Sequence, residues 1–458
     1  MYNIDFSHPV HVHFIGIGGI SMSGLAEILL DRKFIVSGSD AKESSLTVHL
    51  KEKGASVVYG QSAANITKDM DVIVYTAAIR EDNPELAAAK EQGIPCLTRA
   101  QLLGQIMLNY DTPVAVSGTH GKTTTTSMIS EILLAADMDP TLSIGGILPS
   151  IRGNIRVGNS PLFVTEACEY TNSFLSFFPK IGLILNIEED HMDFFKDIYD
   201  IRSSFQKFAA LLPEDGALII NGDIENPAEI TRSLKCRVIT FGRDSSSDYY
   251  PDGITYDEFA RPTYCLCHKD TRRSFKLGVS GEHNVYNSMA AIALADILGI
   301  PTDCIKKALA RFHGTDRRFQ HKGECDGVTI IDDYAHHPTE ISATLSAAAN
   351  LPHKKLWCVF QPHTYTRTKA FLPQFAQSLS AADHVVLADI YAAREKNLSG
   401  ISSKDLQNEL LKLGVVCDYF PSFEEIETFL KKNYSPGDLL ITMGAGDVVN
   451  IGEDLLKK

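Results

Sequence analysis

The chain has 458 residues and a formal net charge of −14, with 44% hydrophobic and 22% charged residues. That length exceeds one ordinary core and, at about 150 residues per domain, predicts about three domains. The acidic balance argues against a nucleic-acid or anionic-membrane partner, no apolar run approaches the ~18 residues of a membrane span, and MYNIDFSHPVHVHF lacks a basic-then-apolar leader, so a cytoplasmic location is expected.

The first predicted strand, 11 to 17, runs into Gly16-Ile17-Gly18-Gly19-Ile20-Ser21 and a helix from about 23 to 32. A second strand, 33 to 37, ends at Gly38-Ser39-Asp40. A βαβ start with an acidic residue at the end of its second strand is the dinucleotide-fold arrangement. Ser21 stands where the last glycine of G-x-G-x-x-G belongs, so the stretch points to a nucleotide or nucleotide-sugar more than to NAD. Helix 44 to 53, strands 55 to 59 and 71 to 76, helix 85 to 92, strand 94 to 97 and helix 99 to 108 follow. The turn Asp111-Thr112-Pro113 then sets a boundary, giving a first domain of residues 1–110.

The second domain, 111–314, opens on VAVSGTHGKTTTTSMI: an apolar β-branched run, then Gly118-Thr119-His120-Gly121-Lys122-Thr123, then a Thr-rich helical segment from Thr124 onward. Strand, glycine loop and helix make a phosphate cradle. Glycines turn backbone N–H groups towards the ligand, the helix N-terminus adds a positive dipole end, Lys122 offers charge to the outer phosphates and Thr123 a hydroxyl to Mg2+. Two residues separate Gly118 from Gly121, where the usual phosphate loop has four. Strands 162 to 167, 181 to 187, 217 to 220 and 237 to 241 continue the sheet. The first of these ends in Glu166-Ala-Cys-Glu169 and the second in Glu-Glu-Asp190-His191-Met-Asp193. Three strand ends thus present a phosphate loop, a carboxylate and a carboxylate-His group on the rim where open parallel sheets bind ligands. Cys265-Leu-Cys267-His268 lacks a zinc-site spacer and reads as a hairpin strand, and the nine scattered cysteines read as reduced thiols. Gly281-Glu-His283-Asn284 leads into an Ala-rich helix, 288 to 298, with capping and ligand binding equally open for His283 and Asn284.

The third domain, 315–458, begins after His313-Gly314 and carries Asp316-Arg317-Arg318-Phe319. Strand 327 to 332 ends in Asp333-Tyr334-Ala-His336-His337-Pro338, and strand 355 to 360 in Gln361-Pro-His363-Thr364-Tyr365-Thr366-Arg367. Strands 384 to 389 and 438 to 442 end in Tyr391-Ala-Ala-Arg394-Glu395 and Gly444-Ala-Gly446-Asp447. Four strand ends rich in His, Arg and Asp predict a second ligand-facing rim. Pro338 suits a first helical turn, so the plainer reading of the His pair is capping.

HFIGIGGISMSGLAEIL and SGSD in the first domain, SGTHGKTTTTSM, EACEYTNSFL, NIEEDHMD and GEHNVYNSMAA in the second, and GTDRRFQ, DDYAHHPTEI, QPHTYTRT and GAGD in the third resemble the Mur ligases of peptidoglycan synthesis. The resemblance covers essentially the whole chain, and DDYAHHPTEI with GIGGISMSG is similar to the alanine-adding branch. It implies an α/β fold of three domains: an N-terminal Rossmann-like UDP-sugar domain, a central P-loop ATPase-like parallel sheet, and a C-terminal Rossmann-like domain that contacts amino acid and nucleotide. The implied reaction is ATP-dependent ligation of L-alanine to the lactyl carboxylate of UDP-N-acetylmuramic acid through an acyl phosphate, with Mg2+, by a monomer or weak homodimer. The resemblance makes Lys122, Glu166, His191 and Arg367 catalytic, with Thr123, Glu166 and His191 on Mg2+. It places Gly118, Thr119, Gly121, Lys122, Thr123, Thr124, Asn284, Arg318 and Asp333 on ATP. Gly18, Gly19, Ser21 and Met22 fall at the sugar nucleotide's pyrophosphate and Asp40 at its uridine, while Tyr334 and His336 line the cleft and His363 lies near Arg367. Cys168 and Tyr170 stand where the family often has Asp and Ser, Gln61 replaces a frequent His, and Thr364 a frequent Arg; these bear on the sugar and alanine contacts. Sister ligases remain open alternatives, as does an NAD-linked oxidoreductase, which would leave Gly121-Lys122-Thr123 without a role. Nucleotide contacts split between two domains imply closure on binding.

Overall fold

Three sheets, of five, ten and six strands, organise the computed structural model, which describes residues 2–76 and 78–457. The first sheet is wholly parallel, in the order Ser56–Tyr59, Ile35–Asp40, His11–Ile15, Val72–Tyr75, Cys96–Thr98. The strand order reverses at His11–Ile15, so the crevice at that strand's carboxyl end receives the glycine loop. The helix that follows spans Ile20–Asp31, starting three residues before the predicted position, because Gly19 enters it in an extended conformation without a side-chain cap.

The central sheet is parallel through its middle, as expected, and antiparallel at both edges. Its middle, Arg237–Phe241, Ala217–Asn221, Ile181–Ile184, Thr112–Ser117 and Leu162–Ala167, is parallel and buried, as apolar strands flanked by helices require. Both edges turn antiparallel: Tyr249–Tyr256, Pro262–His268 and Thr271–Lys276 form a meander at one, and Thr141–Leu148 pairs with Gly153–Arg156 at the other. The meander strands are joined by turns too short for a crossover, which leaves antiparallel pairing as the way to extend the sheet. Cys265 and Cys267 lie in its middle strand, in keeping with their hairpin reading. The helix after the phosphate loop, Lys122–Ala135, packs through Met128, Ile129, Ile132 and Leu133 into a core shared with the buried helix His283–Ile297.

The third sheet runs Gln320–Cys325, Val328–Asp333, Leu439–Met443, Leu356–Phe360, His384–Leu387, Cys417–Tyr419, with the first strand antiparallel and the rest parallel. Its domain has cores of its own. The first and central domains, by contrast, share one apolar cluster: Leu102, Leu103, Ile106 and Met107 of helix Arg99–Met107 join Phe163, Phe174 and Phe177. Each such fully buried side chain contributes about 1.5–3 kcal/mol. Gly104 permits the contact, since a Cβ there would lie 1.9 Å from the Ser176 carbonyl oxygen. Among the described residues no helix is long and apolar enough to cross a membrane.

Candidate active site

Strand Thr112–Ser117 delivers the chain to Gly118 and Gly121, whose φ values of +141° and +80° suit glycine, and Gly121 is the N-cap of helix Lys122–Ala135. The loop between them is held from the neighbouring strand end. The Asn186 side chain accepts the His120 N–H at 2.7 Å and donates to the His120 carbonyl at 3.0 Å. Lys122 Nζ donates to the Thr119 carbonyl at 3.0 Å and to Glu169 Oε2 at 3.0 Å. Burial works against the Lys122 charge, but Glu169, itself 3% exposed at the side chain, outweighs it and holds the ammonium well above its ordinary value. Sequence reasoning quoted Glu169 without giving it a role; its signal was its place three residues after Glu166, at the same strand end.

Thr123 Oγ1 donates to Glu166 Oε2 at 3.0 Å, and the Gly145 N–H donates to Glu166 Oε1 at 2.5 Å. Burial raises the Glu166 carboxyl against these donors. A hydroxyl and a desolvated carboxylate side by side fit a hard divalent cation such as Mg2+, which would restore the charge balance that burial upsets. His191 sits in the left-handed region at φ +54°, stacks on Tyr170 at 4.4 Å, and points Nε2 at Glu169 Oε1, 3.7 Å away. Burial lowers its pKa in spite of Asp190 and Glu169, leaving a neutral imidazole suited to metal ligation. The structure therefore brings His191 to the Lys122–Glu169 pair, while Thr123 pairs with Glu166.

Two third-domain strand ends meet this rim. Arg367 donates from Nε and Nη2 to Asp190 Oδ1 at 3.0 and 2.8 Å, and its Nη1 lies 3.1 Å from His363 Nδ1. Thr364, the departure from a frequent Arg, caps helix Tyr365–Ala370 by accepting the Arg367 N–H. Asp333 accepts N–H groups from Phe319 at 2.8 Å and Ala335 at 2.7 Å, which fixes the turn carrying Arg318; burial pushes the carboxyl up to about 6 against the pull of Arg318. Arg318 lies over the Tyr334 ring at 5.1 Å. Arg317 also lies over that ring, at 4.9 Å, but spends its hydrogen bonds on Asp332 and the carbonyls of Gly444 and Gly446. The Tyr334, His336 and His363 rings touch in sequence, with centroids 5.5 and 5.6 Å apart, between Arg318 and Arg367.

A cavity of about 900 Å³ opens between the central and third domains, and its walls include Gly121, Thr124, Asn284, Arg318 and Asp333. Asn284 is not the helix cap: Glu282 holds that position, and Asn284 donates to the Ser280 carbonyl at 2.7 Å. Asn287, one helical turn on and unassigned in the sequence reading, donates to Asn284 Oδ1 at 3.0 Å and occupies the space a Gly121 Cβ would need, 2.6 Å from its Oδ1. Its signal was the i, i+3 spacing from Asn284. His337 does cap helix Pro338–Ala349, accepting the Thr339 N–H.

The residues expected to meet the sugar nucleotide gather elsewhere, at the carboxyl end of the first sheet. The Gly18 N–H donates to Asp40 Oδ2 at 2.8 Å, so Asp40 braces the glycine loop, and Ser21 Oγ lies 3.2 Å from Arg99 Nη1. Met22, also expected near the pyrophosphate, is 1% exposed as a whole residue and packs into the core shared by the first and central domains. Gln61 accepts from Asn83 Nδ2 at 2.6 Å, tying it to the neighbouring helix cap.

Comparison with known proteins agrees with this layout. Family models described as "Mur ligase family, catalytic domain", "Mur ligase middle domain" and "Mur ligase, glutamate ligase domain" match residues 11–111, 116–295 and 317–446. The chain is 63% identical over 459 aligned residues, covering 100% of both chains, to the UDP-N-acetylmuramate--L-alanine ligase of Agathobacter rectalis, and 60% identical to that of Lachnospira eligens with the same coverage. Among solved structures it superposes on the UDP-N-acetylmuramate-alanine ligase of Thermotoga maritima with a TM-score of 0.81, 30% identity and 98% of each chain covered. A murein peptide ligase from Psychrobacter arcticus shares the fold at TM-score 0.72, 24% identity and 98% of each chain. With a phosphate loop, two carboxylates and a histidine on one sheet rim, and matches spanning all three sheets, the chain belongs to the Mur ligase family.

Proposed function

We propose that the protein joins L-alanine to the lactyl carboxylate of UDP-N-acetylmuramic acid at the expense of ATP, in the synthesis of peptidoglycan precursors in the cytoplasm. The observation that carries this reading is full-length similarity to enzymes of that name in a chain that keeps Lys122, Glu166 and His191 on one rim. When bound, ATP supplies the phosphoryl group that activates the substrate carboxylate as an acyl phosphate, and Mg2+ offsets phosphate charge. Lys122 and the N-terminus of its helix hold the outer phosphates. Thr123 and Glu166 would hold one metal, and His191 would offer its imidazole to a second. Asn284, Arg318 and Asp333 hold the nucleotide from two domains. Gly18, Gly19 and Ser21 hold the pyrophosphate of the sugar nucleotide. Arg367, kept in place by Asp190, orients alanine beside His363, and the amine then displaces phosphate while the docked third domain keeps water out.

Phosphate release from ATP with Mg2+ and UDP-N-acetylmuramate tests this, comparing L-alanine with glycine, L-serine, D-glutamate and a murein tripeptide. Turnover is expected with L-alanine and not with D-glutamate or tripeptide. Turnover with tripeptide alone would move the protein to the recycling branch of the family.

A further inference from the structure

His120 lies in the phosphate loop, yet none of the roles above uses its side chain, which is 11% exposed. Its two ring nitrogens face carboxylates from two domains. Nε2 is 3.4 Å from Glu188 Oε2, in the segment after strand Ile181–Ile184, and Nδ1 is 3.3 Å from Glu340 Oε1, on the third-domain helix Pro338–Ala349. Both are ion-pair contacts, since Nε2 has no aligned hydrogen-bond acceptor, and a carboxylate at each ring nitrogen favours the doubly protonated, cationic ring. Each carboxylate is in turn tied to the third domain: Glu188 accepts from Thr339 Oγ1 at 2.5 Å, and Glu340 accepts the His336 N–H at 3.0 Å and lies 3.9 Å from Arg318 Nη1. The His337 ring packs on His120 with centroids 4.6 Å apart. Ligand atoms of His120, Glu188 and His337 lie within 4.8 Å of one another. His337 nevertheless has both nitrogens engaged, by the Glu189 carbonyl and the Thr339 N–H, so this cluster is an ion bridge and not a metal cage.

We propose that His120 is a positioning residue for the nucleotide: its imidazolium, bridging Glu188 and Glu340, holds the third domain over the phosphate loop and thereby sets Arg318 against the cavity. The inference rests on the reading of residues 118–123 as a phosphate loop. Burial works against the charge on His120, and Glu188 and Glu340 outweigh it, lifting the ring from its ordinary 6.5 to about 9. Burial also works against Glu340, which His336, His120 and Arg318 hold well below the usual carboxylate range. The charged and titratable groups around the bridge are Glu188, Glu340 and His337, with Arg318, His336 and His283 facing Glu340 and Asp190 facing His337. A docked-state pKa above the free value means that docking takes up a proton. The contribution is complete below the ordinary value of 6.5 and is lost as pH rises through about 9.

The test is calorimetric binding of the non-hydrolysable β,γ-imido analogue of ATP with Mg2+ to the full-length protein, across about pH 6 to 10 and in buffers of different ionisation enthalpy. Wild-type affinity is expected to fall by up to about tenfold per pH unit between roughly pH 7 and 9, with proton uptake on binding. His120→Asn should bind about tenfold or more weakly near pH 7 and lose both the pH slope and the proton uptake. Glu340→Gln retains the ring and should move the inflection down towards the ordinary histidine range, which decides the matter if His120→Asn does not fold. The proposal is overturned if His120→Asn keeps the wild-type slope and proton uptake, or if the wild type binds the analogue with no slope across this range. Failure of the wild type to bind at any pH would overturn the phosphate-loop reading along with it.

Discussion

Lys122 shows what one residue of this site needs from its neighbours. A buried ammonium is costly unless it is paired and hydrogen-bonded, and here Glu169 and the Thr119 carbonyl supply the partners. Glu169→Gln would leave the ammonium uncompensated, a change worth roughly 3–5 kcal/mol when one member of a buried pair is removed. We expect ATP-dependent phosphate release to fall at least about 100-fold in that variant, since 1.4 kcal/mol is a factor of ten, while UDP-N-acetylmuramate still binds at the distant glycine loop of the first domain. Lys122→Ala should abolish phosphate release outright; retained turnover in an initial-rate assay would remove the assigned role. Lys122 and Thr123 could be named from the chain because their motif is local, and Glu166 because it closes an apolar strand and matches the family pattern. Glu169 could not, because its role depends on a side chain 47 positions away in sequence.

At the scale of the element, the strand-loop-helix unit depends on Gly121. Its φ of +80° costs a residue with a Cβ about 1–2 kcal/mol, and that Cβ would lie 2.6 Å from Asn287 Oδ1. Gly121→Ala is therefore expected to lower both the melting temperature and the affinity for ATP, whereas Gly299→Ala, also left-handed at φ +71° but with open space around it, should lower the melting temperature alone. Differential scanning calorimetry beside nucleotide binding separates the two. Strands with long apolar runs were legible because their burial is written in composition. The antiparallel edge at Thr141–Leu148 was not: the strand is interrupted by Gly145 and Gly146, and its pairing with Gly153–Arg156 has a register shift. Those glycines are needed where they stand, since a Cβ on Gly145 would meet Glu166 Oε2 at 2.7 Å, so the residues that obscure the strand are the ones that admit the carboxylate.

For the whole molecule, the two domain junctions differ in kind. The first and central domains share one apolar cluster, which favours a fixed arrangement, whereas the third domain docks on the central one through ion pairs and hydrogen bonds, the chemistry of interfaces that open and close. Arg367 and Asp190, 8% and 7% exposed at their side chains, are the buried pair of that interface. Asp190→Asn should loosen docking, read as a larger radius of gyration in solution scattering, and should raise KM for L-alanine; unchanged scattering and kinetics would show that the pair does not hold the interface. Burial works against the Asp190 charge, but Arg367, ahead of His191 and His336, keeps the carboxyl well below its ordinary range. Its contribution is therefore present above about pH 4 and is lost as pH falls below that. By itself the sequence determined the three-domain α/β organisation, the strand, glycine loop and helix of residues 112–135, and the family, because glycines, strand-end polar residues and apolar runs act over a few neighbouring positions. Tertiary structure alone decided that Glu169 anchors Lys122, that His191 faces Glu169, that Met22 turns into the core, and that His120 joins two domains. Those are contacts between segments tens to hundreds of residues apart, and their distance and burial exist only once the sheets have brought the strand ends together.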